Sequence, residues 1–65
     1  MKYEVRASER DTGWVTIAIF SDIEEAKAEF QNQLYEDKKE NIKNLRTEIV
    51  NSDNEIIQYY EGEEY

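Results

Sequence analysis

Carboxylates are the most numerous groups in this 65-residue chain that could take part in chemistry. The chain has 16 Asp and Glu residues against eight Lys and Arg, and it contains no histidine and no cysteine. Imidazole and thiolate groups are therefore excluded as bases, nucleophiles or metal ligands. Catalysis would have to use paired carboxylates or a hydroxyl activated by lysine, and a chain this short offers little room for the necessary pocket. We predict that the chain is not an enzyme.

Residues 11–13 form an Asp-Thr-Gly triplet, which resembles the active-site triplet of the aspartic proteases. In that family small and apolar residues flank the triplet within a much longer chain, whereas here Arg10 precedes it and Trp14 follows it. Asp and Gly both favour tight turns, and Gly13 can adopt a positive φ. A turn between two strands explains the triplet better than catalysis does.

Neighbouring carboxylates at residues 24–25 and 61–64 carry the oxygen ligands that hard divalent cations prefer. The acids around residues 53–55 lack the alternating spacing, central glycine and closing glutamate of an EF-hand loop. We therefore interpret the acidic runs as solvated surface and predict no metal and no cofactor. A small metal or ligand binder is the weaker alternative.

The acidic excess of the chain is concentrated after Arg46, its last basic residue. The nineteen residues that follow contain six acids and no base, within a formal net charge of -8. Such a surface suits a basic protein and opposes direct binding of nucleic acid. The predicted partner-binding residues are Glu48, Asp53, Glu55, Tyr60, Glu61, Glu63 and Glu64, together with Glu25, Glu29 and Glu36 on a predicted helix.

Two adjacent tyrosines accompany these acids. Tyr59 and Tyr60 point to opposite faces of a strand, so one can join the core while the other stands exposed near Glu55 and Glu61. An exposed ring among carboxylates suits an arginine-rich partner through cation–π contact and ion pairs. Both rings could instead fill a small sheet or a dimer seam, and the sequence leaves these alternatives open.

Alternating apolar residues predict two strands in the first twenty residues. Residues 3–7 have the period of a half-buried strand. Residues 14–20 are rich in β-branched and aromatic types and are the best candidate for a central strand. On this second strand we expect one face to carry Val15, Ile17 and Ile19 and the other to carry Trp14, Ala18 and Phe20.

At Ser21 the period changes to that of a helix, and Ser21 with Glu24 has the spacing of a capping box that starts the helix at Ser21. The predicted apolar stripe consists of Ile23, Ala26, Phe30 and Leu34. The helix end is left open, because residues 37–41 are polar on all sides and Ile42 can continue the stripe or begin a loop.

Residues 45–50 and 55–60, separated by a turn cluster at 51–54, predict a C-terminal hairpin. The predicted fold class is α+β: a single small domain over residues 1–60 in ββαββ order, with a four-stranded, mostly antiparallel sheet and one helix packed on one face. Residues 61–65 are expected to form a frayed acidic tail. The strand order is left open.

A chain of this size buries only about 60% of the surface that its unfolded form exposes, and disulfide support is excluded. Self-association is one source of extra stability, and the predicted dimer face or second core face consists of Trp14, Ala18 and Phe20. There is no signal-like apolar stretch and no run of about 20 apolar residues, so we expect no membrane contact and an intracellular, cytoplasmic location.

Two functional hypotheses follow. The first is a non-enzymatic acidic interaction module, an inhibitor or regulator that binds the nucleic-acid-binding surface of a basic partner, for example a nuclease, as a phosphate or DNA mimic. In size, charge and compactness the chain resembles the small acidic inhibitors that phages and mobile elements encode against restriction or CRISPR nucleases and DNA-repair glycosylases, which implies a phage-infected bacterial host. The alternative is a self-associating structural or assembly domain, a homodimer with no inhibitory role.

Overall fold

The computed structural model of the chain describes residues 1–9, 12–40 and 45–62. Within these ranges the polypeptide forms four strands and one helix, in the predicted ββαββ order. The elements are β1 (Tyr3–Glu9), β2 (Gly13–Phe20), α1 (Ile23–Lys39), β3 (Arg46–Asn51) and β4 (Ile56–Glu61). The predicted fold class is confirmed.

The four strands form one sheet in the order β2-β1-β3-β4, and every neighbouring pair is antiparallel. The central strands are therefore β1 and β3, and the prediction that β2 is central is wrong. Strand β2 lies at one edge and β4 at the other. The apolar side chains on both faces of β2 do not mark a central position, because Trp14 and Ile19 are exposed on the face opposite the helix.

The bulge in β2 is at Ile17, which is an extra residue relative to β1. Ala18 lies opposite the buried Val5, and Phe20 packs against the core on the same face. Trp14 precedes the bulge and lies on the other face, opposite Ser8. The prediction that Trp14, Ala18 and Phe20 share a face is therefore wrong, because one inserted residue reverses the alternation.

The hydrophobic core lies between α1 and the sheet. Val5 and Ile49 from the central strands contact Ala26 and Phe30 of the helix, and Leu34 packs against this group. The predicted apolar stripe of the helix is confirmed for Ala26, Phe30 and Leu34, and Ile23 is half-buried. Within the described residues α1 contacts β1, β2 and β3 but not β4, so β4 extends beyond the helix.

The helix begins after Asp22, which is its N-cap. Asp22 has an extended backbone, and its side chain accepts a hydrogen bond of 3.2 Å from the backbone N–H of Glu24. The predicted cap at Ser21 is wrong by one residue, because Asp caps a helix as well as Ser does. The helix ends at Lys39, with Glu40 as its C-cap. Ile42 lies outside the described residues.

Positive φ angles mark both hairpin turns. Gly13, at the start of β2, has φ 79°, which confirms the predicted turn after β1. Asp11, the first residue of the Asp-Thr-Gly triplet, lies outside the described residues. In the turn between β3 and β4, Asn54 has φ 63°, and Oδ1 of Asn51 accepts the backbone N–H groups of Asp53 and Glu55, both at 2.9 Å.

The C-terminal strand begins and ends one residue later than predicted, at Ile56–Glu61 instead of residues 55–60. Glu61 is the last residue of β4, and the backbone N–H of Gly62 donates to the carbonyl of Leu45 at 2.9 Å. The expected frayed tail is therefore wrong for residues 61 and 62, whose backbone continues the contact with the start of β3. Residues 63–65 lie outside the described residues.

Candidate functional site

The face of the sheet opposite the helix, here called the open face, carries most of the polar side chains of the central strands. Two rows of side chains cross it, each with one residue from every strand. The first row is Thr16, Arg6, Glu48 and Tyr59, and the second is Trp14, Ser8, Arg46 and Glu61.

Glu48 lies at the centre of the open face and is only 3% exposed. Arg6 donates from Nε and Nη2 to Oε1 of Glu48, at 3.0 and 2.8 Å. Arg46 donates from Nε to Oε2 at 2.7 Å. Both carboxylate oxygens therefore accept charge-assisted hydrogen bonds, which offset the cost of burying the charge.

Each of these arginines also contacts an aromatic ring. The Arg6 guanidinium carbon lies 4.7 Å from the centroid of the Trp14 ring, and that of Arg46 lies 4.2 Å from the Tyr59 ring. Arginine can stack on an aromatic face while its N–H groups bind a carboxylate. The result is a continuous contact from β2 to β4, here called the arginine row: Trp14, Arg6, Glu48, Arg46 and Tyr59.

The arginine row changes the interpretation of Glu48. The charge pattern of the sequence predicts it to be a partner-binding carboxylate, but its side chain is buried and already bound by two cations. It presents no free charge to a partner. Its role is to join β1 and β3 on the open face.

Both tyrosines of β4 are exposed. Tyr59 lies on the open face opposite Glu48, and Tyr60 lies on the other face opposite Thr47. The expectation that one of them joins the core is wrong, because α1 does not contact β4. The Tyr59 ring is engaged by Arg46, whereas no ring contact to Tyr60 is present within the described ranges.

The start of α1 and the turn between β3 and β4 lie at the same end of the sheet. Phe20, the last residue of β2, is opposite Tyr3, and Tyr3 is opposite Asn51, the last residue of β3. Five exposed carboxylates come from these two segments. This acidic end consists of Asp22, Glu24 and Glu25 from the helix start and Asp53 and Glu55 from the turn.

The charges of the acidic end are not neutralised by neighbours. Within the described residues none of its five carboxylates forms an ion pair with a lysine or arginine. Asp22 caps the helix, and Glu55 accepts a hydrogen bond of 3.1 Å from the side-chain amide of Asn51. These contacts hold two of the carboxylates in position but do not neutralise their charge. Glu48 differs, because two arginines bind it.

The other predicted binding residues are spread over the molecule. Glu29 and Glu36 are half-buried on the helix. Glu61 is exposed at the end of β4 and accepts a hydrogen bond of 3.3 Å from Nη1 of Arg46. Glu63 and Glu64 lie outside the described residues. The structure thus places Glu25, Asp53 and Glu55 at the same end of the sheet.

Sequence reasoning missed the parts played by Arg6 and Arg46. The available signal was the alternation that places Arg6 and Glu48 on outward positions of their strands, but it becomes informative only when β1 and β3 are known to be neighbours. Asp37 was also missed as a buried residue; it accepts a hydrogen bond of 3.0 Å from the side-chain amide of Gln33.

No cluster of three or more acidic side chains with the spacing of a metal site occurs in residues 1–9, 12–40 and 45–62. In the same ranges every buried side-chain nitrogen and oxygen has a hydrogen-bond partner, so no unsatisfied polar group is buried there. The helix described is not long and apolar enough to cross a membrane.

No protein-family model, curated protein or solved structure matches this chain. Its function must therefore be inferred from its own residues and their arrangement.

Proposed function

We propose that this chain is a non-enzymatic protein-interaction domain that binds the basic, nucleic-acid-binding surface of a partner protein and thereby inhibits or regulates it. The partner class is a nuclease or another DNA- or RNA-binding protein. The observation that supports this proposal is the acidic end, where carboxylates from two separate segments stand exposed and form no ion pair within the described residues. In this role the carboxylates occupy positions that phosphates take in the nucleic acid.

Two local structures give the acidic end a defined shape. Asp22 caps the helix, and the hydrogen bonds from the Asp53 and Glu55 amides to Asn51 hold the turn. Ordered carboxylates lose less side-chain and backbone freedom on binding than those of a flexible tail. Because these carboxylates form no ion pair with the lysines and arginines that the structure describes, a basic partner does not have to break such pairs.

Long-range attraction follows from the charge of the whole chain. A net charge of -8 accelerates encounter with a positively charged surface, and the effect weakens as salt screens it. The proposal includes the cytoplasm of a phage-infected bacterium as the place of action, because a basic nuclease of the host is a partner of the required kind.

The proposal is tested with two variants of equal net charge. The end variant carries Glu25→Gln, Asp53→Asn and Glu55→Gln. The control variant carries Glu9→Gln, Asp11→Asn and Glu40→Gln; Glu9 lies at the end of β1 and Glu40 is the C-cap of α1. Each removes three carboxylates, so a difference between them reports position and not total charge.

The immobilised wild-type domain and both variants are exposed to bacterial lysate at low salt, and bound proteins are eluted with high salt and identified by mass spectrometry. We expect wild type and control variant to retain the same basic nucleic-acid-binding protein and the end variant to lose it. Equal retention by both variants, or a retained protein with no affinity for nucleic acid, would contradict the proposal.

The second candidate function is a homodimer that uses the open face. Beyond the arginine row this face carries Ile19 opposite Glu4, and Ile56 opposite the buried Val50, and both isoleucines are exposed. Exposed apolar side chains on an uncovered sheet face favour association. Sedimentation equilibrium at high salt, where charge repulsion is screened, tests this candidate. If the domain is a dimer, wild type should have twice the mass of the chain, and an Ile19→Glu variant should have the mass of one chain.

A further inference from the structure

The outer edge of β4 is the part of the sheet least protected by the fold. Strand β4 pairs with β3 on one side, and within the described residues no strand pairs with its other side. An edge of this kind presents backbone N–H and C=O groups that a further strand can bind. From Gln58 to Glu61 the pairing with β3 is regular, because the bulge of β4 lies nearer its start, at Ile57.

Both faces of β4 are also uncovered. On the helix side Tyr60 is 51% exposed, because α1 contacts only the other three strands, and on the open face Ile56 and Tyr59 are 49% and 56% exposed. Natural edge strands are commonly protected by lysine, by proline or by a covering helix. Strand β4 contains neither lysine nor proline, and the helix does not reach it.

The opposite edge, β2, is better protected. The helix contacts β2, and Ile17 and Phe20 pack against the core. The bulge at Ile17 lies in the middle of β2 and interrupts its regular backbone. Strand addition therefore favours β4.

The charges around β4 select the partner. Glu55 precedes the strand and Glu61 ends it, and no basic residue follows Arg46 in the chain. If two copies of β4 paired antiparallel, Glu55 and Glu61 of both copies would lie at one interface between domains of charge -8. Such a pairing is unfavourable because like charges repel. An extended segment in which apolar residues alternate with lysine or arginine is complementary to both the apolar side chains and the flanking acids.

We propose that the outer edge of β4 binds an extended segment of the basic partner as a fifth strand. Backbone hydrogen bonds supply affinity, and alternate side chains supply specificity, as in other complexes formed by strand addition. This inference depends on the proposed function for the sign of the partner's charge, while its location depends only on the geometry of β4.

The test uses a short synthetic peptide in which valine alternates with lysine, and a control peptide with glutamate at each lysine position. Amide hydrogen exchange of the isotope-labelled domain is measured by NMR with each peptide in excess. We expect slower exchange at alternate amides of β4 with the lysine peptide and no change with the glutamate peptide. Removal of the exposed ring in a Tyr60→Thr variant should weaken lysine-peptide binding about tenfold. An Ile19→Thr variant on β2 should bind as wild type does.

Unchanged exchange of the β4 amides with the lysine peptide in excess would overturn the proposal. Equal weakening of lysine-peptide binding by Tyr60→Thr and Ile19→Thr would also overturn it. A third contrary result is amide protection of β4 that increases with protein concentration in the absence of peptide, since a second copy of the domain would then occupy the edge. If the peptide fails but the end variant still loses the captured partner, only the strand addition is wrong. If the end variant keeps the partner while β4 is protected, the acidic end is wrong.

Discussion

Arg6 of β1 and Glu48 of β3 lie directly opposite each other on the open face, and two donors of the arginine bind the same carboxylate oxygen at 3.0 and 2.8 Å. Arg46 binds the second oxygen at 2.7 Å. Glu48 is the first carboxylate of the acidic segment that follows Arg46, and its side chain is buried on the open face. The ion pair also fixes how β1 and β3 align, because a shift by one residue would move Glu48 to the opposite face.

Replacement of Glu48 should destabilise the domain strongly. In Glu48→Gln the two arginines lose their shared counter-charge, and we expect the free energy of unfolding to fall by about 2 kcal/mol. The matched control is Glu61→Gln, which removes the exposed partner of Arg46 and should cost less than about 1 kcal/mol. Urea denaturation followed by circular dichroism measures both. Equal losses in the two variants would show that Glu48 is not the centre of the network.

The position of the helix cap gives a second prediction. Asp22→Ala should lower the free energy of unfolding by about 1 kcal/mol, because the Glu24 amide loses its side-chain acceptor. Ser21→Ala is the control and should have little effect, since Ser21 lies outside the cap. Thermal unfolding of the two variants distinguishes the positions, and a larger loss for Ser21→Ala would restore the capping box expected from the sequence.

The turn before β2 gives a third. Gly13 has φ 79°, and a Cβ at this position would meet no atom within 4 Å, so Gly13→Ala tests backbone conformation without a steric clash. We expect a loss of about 1 kcal/mol in the free energy of unfolding. Asn54, at φ 63°, is the comparison: Asn54→Gly should be neutral or slightly stabilising. An unchanged stability in Gly13→Ala, measured by urea denaturation, would contradict the strained turn.

The elements of the fold were predictable because their periods are strong. Ala26 and Phe30 recur at helical spacing and are buried as expected, and residues 3–7 alternate as a strand should. The order of the strands was not predictable in this way. The apolar content of β2 suggested a central position, but the strand lies at an edge of the sheet and packs against the helix. Its bulge at Ile17 and its contact with the helix leave no mark in the local composition.

The sign of the charge at the candidate site was predictable from the sequence, but the location of the site was predictable only in part. The charge pattern indicates an acidic surface, and Asp53 and Glu55 are exposed. Glu48 could be recognised as a buried ion-pair residue only from the neighbouring positions of β1 and β3. The same topology brings Glu25 at the helix start to the end of the sheet that carries the turn, a proximity that their distance in sequence does not reveal.

The most direct test of the central claim is a competition between this domain and DNA for the partner retained in the capture experiment. Fluorescence anisotropy of a labelled duplex bound to the purified partner is followed as the domain is added. If the acidic end occupies the nucleic-acid-binding surface, wild type and the control variant release the duplex at the same concentration, and the end variant needs about ten times more. Equal displacement by both variants, or a complex in which the partner holds the domain and the duplex together, would contradict it.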